Sequence, residues 1–108
     1  MIFYKLQATL NDFIIVKNDN FNDNIKDLCN RNKFIGADGL IFVDNDNNVF
    51  FYNSDGSKAN MCGNGLRCVS KLLSYLNKKN ENIVYVNNNE IVLLSLRSKF
   101  QPDKSFFE

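Results

Sequence analysis

The stretch YNSDGSKANMCGNGLRC, residues 52–68, holds the residue types best suited to chemistry. Cys62 is followed by Gly63, Asn64 and Gly65, and then by a run with helical spacing. A helix start leaves backbone N–H groups unpaired and carries partial positive charge, so an anion placed there is stabilised. Helix N-termini are among the settings that favour the thiolate of a cysteine. Glycines on either side of Asn64 let a ligand come close to the backbone. Cys62 therefore reads as a nucleophile or base beside an anion cradle. Two plainer readings stand next to this one: a small buried hydrophobe ahead of a helix cap, and a metal ligand. Metal binding fits poorly. There is no histidine, Cys62 and Cys68 are the nearest pair of cysteines, and no CxxC knuckle occurs. No metal is expected.

Two asparagines pose a similar choice. Asn53 ends an apolar run that alternates faces, and Asn11 sits in LNDF. A side-chain amide can donate to a carboxylate and accept from an ammonium, or it can simply cap a turn. The other cysteines read as packing residues. Cys68 falls beside Val69 and Leu72, and Cys29 shares an apolar stripe with Ile25 and Leu28. The GADG segment is compatible with a flexible turn alone.

Short apolar runs separated by turn signals must position these residues. MIFYKL and DFIIVK read as strands separated by QATLN. Residues 23–31 have the spacing of a short helix. GLIFVD and NVFFYN flank the turn NDN as a hairpin, and NIVYVN and EIVLLSLR flank NNN as another. Leu66, Val69, Leu72, Leu73 and Leu76 form one apolar stripe, with Arg67, Ser70, Lys71, Ser74 and Lys78 on the opposite side. That pattern predicts a helix of about three turns with one buried face. The count is about six strands and two helices, giving an α/β (α+β) chain. The tail SKFQPDKSFFE holds the only proline, Pro102, and reads as a domain edge or a connection.

The 108 residues suffice for one domain, and an apolar content of 44% allows a core. A net charge of +1 argues against a dedicated nucleic-acid or membrane-surface role. No apolar run approaches the roughly 20 residues of a spanning helix. The N-terminus lacks the features of a signal peptide, and the odd number of cysteines does not suit a disulfide framework. These features predict a cytoplasmic protein with no membrane or nucleic-acid partner.

NDF, LCNR, IGADGLIFV and FYNSDGSKANMCGNGLRC occur in the order and spacing of the diaminopimelate epimerases. The chain resembles the N-terminal half of that family over nearly its whole length. Proline racemases share the superfamily fold but carry a different cysteine motif. The resemblance implies a mixed β-sheet or barrel wrapped around a central helix, one half of a two-domain fold with substrate in the cleft. Residues 1–108 would be the N-terminal domain, without the C-terminal one. It also implies an isomerase that interconverts LL- and meso-diaminopimelate without a cofactor, in the synthesis of lysine and cell-wall precursors. Two cysteines would work as acid and base, and Cys62 matches one of them. Gly63 and Asn64 would hold the substrate α-carboxylate, and Asn11 and Asn53 match substrate-binding asparagines. Gln7, Ala8 and Leu10 depart from the family's HGxGNDF. A leucine where the backbone calls for a glycine conformation threatens the placement of Asn11.

The family's second acid/base cysteine has no counterpart here. The chain alone is therefore expected not to epimerise. The partners implied are an amino-acid substrate and either a C-terminal half or a second copy of the chain. A non-catalytic half-domain serving as a binding or interaction module is the alternative, and a decayed remnant is a third reading. A domain without its partner should expose apolar surface.

Overall fold

The computed structural model describes residues 2–17, 24–95 and 103–106. Strands β1 (Ile2–Ala8) and β2 (Asn11–Lys17) form an antiparallel hairpin in which Ala8 faces Asn11. Gln7 and Ala8 continue β1, so the turn shrinks from QATLN to Thr9 and Leu10 alone. Both turn residues have positive φ, 48° and 71°. A two-residue hairpin needs that twist, and glycine or asparagine usually supplies it. Leu10 thus adopts the glycine-type conformation itself, with its side chain in solvent.

Helix α1 (Ile25–Cys29) starts at Asn24, whose side chain accepts from the Asp27 N–H at 3.1 Å. Asp23, the first residue of the expected helix, lies outside the described residues. The loop beyond α1 leads to β3 (Gly39–Val43), which runs parallel to β2, and β4 (Val49–Asn53) returns antiparallel. The sheet order is β4-β3-β2-β1-β7. The last of these, β7 (Asp103–Phe106), pairs antiparallel with β1. Part of the tail therefore completes the sheet as a seventh strand, where the sequence suggested an edge or connection. Pro102 and residues 96–97 of the expected sixth strand lie outside the described residues.

Residues 13–16 are all buried because the sheet is covered on both faces, which explains why FIIV does not alternate. On one face Leu6, Ile15, Ile41 and Val43 cluster with Cys68, Val69, Leu72 and Leu73 of α2 (Gly63–Asn77). On the other, Phe3, Ile14, Val16 and Leu40 cluster with Leu28, Cys29 and Ala37. Burial of each such aliphatic side chain contributes about 1.5–3 kcal/mol.

Strands β5 (Glu81–Val86) and β6 (Asn89–Leu94) form the second hairpin around Asn87 and Asn88, at φ 51° and 66°. Val84, Val86 and Leu93 close the core over the far side of α2. The helix thus lies between two sheets, which changes its expected polar side. Ser70 and Ser74 are buried rather than solvated, and the Ser70 hydroxyl donates to the Leu94 carbonyl at 3.3 Å. The sheets meet at a bridge between Asn48 and Tyr85. Among the described residues they do not join into a closed barrel, so the architecture is an open α+β arrangement around a central helix.

Candidate active site

Cys62 is the N-cap of α2, with extended backbone at φ −117° and ψ 122°. Its Sγ accepts from the Gly65 N–H at 3.4 Å, and its carbonyl accepts from the Leu66 N–H at 2.9 Å. Cys62 thereby uses both acceptors to satisfy N–H groups of the first turn. The N–H groups of Gly63 and Asn64 lie ahead of any helical acceptor. No acidic side chain sits in that turn, so the positive end of a 15-residue helix is not offset by the helix itself. Space is available as well: a Cβ on Gly63 would meet nothing within 4 Å. Gly65 has the opposite role. A Cβ there would lie 3.0 Å from Ile41 and Phe51, so its absence lets the helix start press against the sheet.

The β1–β2 turn comes to this helix start. Asn64 Nδ2 donates to Asn11 Oδ1 at 2.8 Å, and Arg67 Nη1 donates to Thr9 Oγ1 at 3.1 Å. Leu10 therefore does not displace Asn11; the two-residue turn delivers it to Asn64. Asn53 stands apart. Its side chain donates to Ser57 Oγ at 3.0 Å within the turn after β4. Among the described residues it makes no hydrogen bond to Asn11, Cys62, Gly63 or Asn64. One hydrogen bond thus ties Asn11 to the Cys62–Gly63–Asn64 run, while the Asn53 amide bonds within the turn that follows β4.

Cys62 is half-buried, whereas Cys29 and Cys68 are 5% and 1% exposed. Burial pushes the Cys68 thiol up to about 11. Burial, and then the nearby Asp12 charge, also raises Cys29. Both have the packing role read from their spacing. Among the described residues, no three His, Cys, Asp or Glu side chains gather as a metal site, and no helix is long and apolar enough to cross a membrane.

An ionic network behind Asn11 is not apparent from the sequence. Arg31 grips Asp12 with two bonds, at 3.0 and 2.8 Å, and reaches Asp38 at 3.2 Å. Lys5 lies 3.1 Å from Asp12. The Asp38 N–H donates to Asp12 Oδ1 at 2.9 Å, and Asp38 Oδ2 accepts from the Asp12 N–H at 3.2 Å. The Arg31 guanidinium, aided by the Asp38 N–H and Lys5, holds the Asp12 carboxyl far below the usual carboxylate range, against the effect of burial. Gly36 makes room for Arg31: its φ is +76°, and a Cβ would come within 2.3 Å of Arg31 Cγ. The only sequence signal was that Asp12, Arg31 and Asp38 occupy the NDF, LCNR and GADG motifs.

Comparison with known families matches residues 3–104 to the diaminopimelate epimerase model. The chain belongs to the diaminopimelate epimerase family. A diaminopimelate epimerase of Campylobacter jejuni (strain 81116) is 39% identical over 111 residues, covering 96% of this chain and 43% of the relative. One of Helicobacter pylori (strain 26695) is 50% identical over 76 residues, covering 64% of this chain and 28% of the relative. The chain thus spans less than half the length of these epimerases. Asn11, Asp12, Arg31, Asp38 and the Cys62–Asn64 run all fall within the matched residues.

Proposed function

We propose that residues 1–108 are the N-terminal, Cys62-bearing domain of a diaminopimelate epimerase. In this reading Cys62 exchanges the α-proton on one face of the substrate carbon. The observation that carries it is Cys62 Sγ at the N-cap of α2, 3.4 Å from the Gly65 N–H and beside the Asn11–Asn64 pair. A thiolate at this point takes the α-hydrogen onto sulfur. The electron pair left on carbon spreads into the substrate α-carboxylate. The N–H groups of Gly63 and Asn64, which precede any acceptor within the helix, meet that carboxylate and stabilise its growing charge. Asn11 and Asn53 complete the contacts to the substrate, and the chemistry needs no cofactor.

Inversion requires a second acid to return a proton to the opposite face. Cys29 and Cys68 are sealed in the core and do not serve. A C-terminal half, or less simply a second copy of the chain, supplies that group. The whole enzyme then works in the cytoplasm, in the synthesis of lysine and cell-wall precursors.

The test is conversion of LL- to meso-diaminopimelate. The purified chain alone should give none. The chain joined to the C-terminal half of the Campylobacter jejuni enzyme should give conversion that Cys62→Ser abolishes. Full activity of the joined Cys62→Ser protein would overturn the role of Cys62, and Cys62-dependent inversion by the isolated chain would overturn the half-enzyme reading.

A further inference from the structure

We propose that Asp38 is a positioning residue that fixes which way the Asn11 and Asn64 amides face, and that Arg31 holds Asp38 in place for this task. The proposal deepens the functional reading above and rests on it for the purpose of the two amides, though not for their orientation. Asp38 Oδ2 accepts from Asn11 Nδ2 at 3.3 Å, and Asn11 Oδ1 in turn accepts from Asn64 Nδ2 at 2.8 Å. An ionised carboxylate can only accept, so it admits the NH2 end of Asn11 and rejects the carbonyl end. Asn11 must then turn its carbonyl to Asn64, and Asn64 must answer with its own NH2. One fixed charge thus sets the direction of a relay two amides long. At its far end the carbonyl of Asn64 is turned away from Asn11, as an acceptor for an N–H group of a ligand.

Without Asp38 either amide could flip at little cost, because an asparagine looks nearly the same to a neutral partner in both orientations. Arg31 contributes by bonding Asp38 and Asp12 at once, at 3.2 Å and 2.8 Å from one nitrogen. It keeps the Asp38 carboxylate against the start of β2.

The experiment is NMR of the full chain without ligand. In the wild-type protein one Asn64 side-chain N–H should be shifted downfield, show a cross-peak to Asn11 and exchange slowly with water. In Asp38→Asn and Asp38→Ala its exchange should quicken about tenfold, the cost of one lost hydrogen bond, while the α2 backbone signals stay in place. Asp38→Glu should restore part of the protection, which a loss of general stability would not predict. Unchanged Asn64 side-chain signals in the folded Asn and Ala variants would overturn the proposal. So would a wild-type chain lacking the bonded N–H, a result that stands even if the variants fail to fold. Because no substrate is used, failure here is separate from failure to convert diaminopimelate.

Discussion

Replacing Leu10 with glycine tests whether strain in the β1–β2 turn is a real charge on stability. Leu10 has φ 71° and is 91% exposed. An L-residue in this region carries roughly 1–2 kcal/mol of steric cost. Glycine removes that cost but adds freedom to the unfolded chain, an offset of about 0.5–1 kcal/mol. Almost no burial is lost with a side chain already in water. At the middle of these ranges Leu10→Gly should stabilise the chain by about 0.8 kcal/mol, raising the midpoint of thermal unfolding by roughly 3–6 °C. Circular dichroism melts would measure this. Leu10→Ala is the control: alanine suffers the same steric cost, so its melt should match wild type within about 0.5 kcal/mol. Equal rises for Gly and Ala would mean that the leucine side chain, not the backbone, is at fault. A melt for Gly below that of wild type would refute the strain assignment altogether.

Iodoacetamide at neutral pH should label Cys62 and spare Cys29 and Cys68 until the chain is unfolded, as read by mass spectrometry of the peptides; prior labelling of Cys68 in the folded chain would contradict its burial. Gly36→Ala should cost about 2–4 kcal/mol from positive φ and collision with Arg31, measured as a fall in the urea midpoint, and a neutral effect would mean that Arg31 has room to move. The Asp12 carboxyl is held below its ordinary value of 3.8 by Arg31 first, so the stability it confers is present above about pH 4 and fades as acid carries the pH toward the lowered value. Asp12→Asn should accordingly be less stable than wild type at pH 7, with the gap closing toward pH 2 in urea titrations; a gap independent of pH would exclude the carboxylate as its source.

Local pattern made much of the fold legible. The α2 stripe, the β3–β4 and β5–β6 hairpins and the packing of Cys68 follow from periodicity and turn chemistry over a few residues. The helix start was legible near Gly65, but α2 begins two residues earlier, at Gly63, and makes Cys62 itself the cap. Relations between distant segments were not. Ser70 and Ser74 read as solvated until a second sheet, folded from later residues, covers them. Arg31, Asp12 and Asp38 look like scattered surface charges until the parallel pairing of β2 and β3 brings their segments to one end of the sheet. The Thr9–Leu10 turn was hidden for a different reason: neither residue advertises the backbone it adopts. Asn11 was assigned to the site by resemblance alone, and its hydrogen bond to Asn64 had no signal in the sequence.

The pairing of β1 with β7 has a consequence for biogenesis. Ile2 faces Phe106 across that ladder, so almost all of this stretch must leave the ribosome before the first strand gains its second neighbour. Until then β1 can zip to β2 on one side while its other side offers unsatisfied amides and carbonyls to any passing extended peptide. Contacts so remote in sequence also form slowly. The nascent domain therefore spends its early life with a vulnerable flank, guarded only when its latest-made strand arrives.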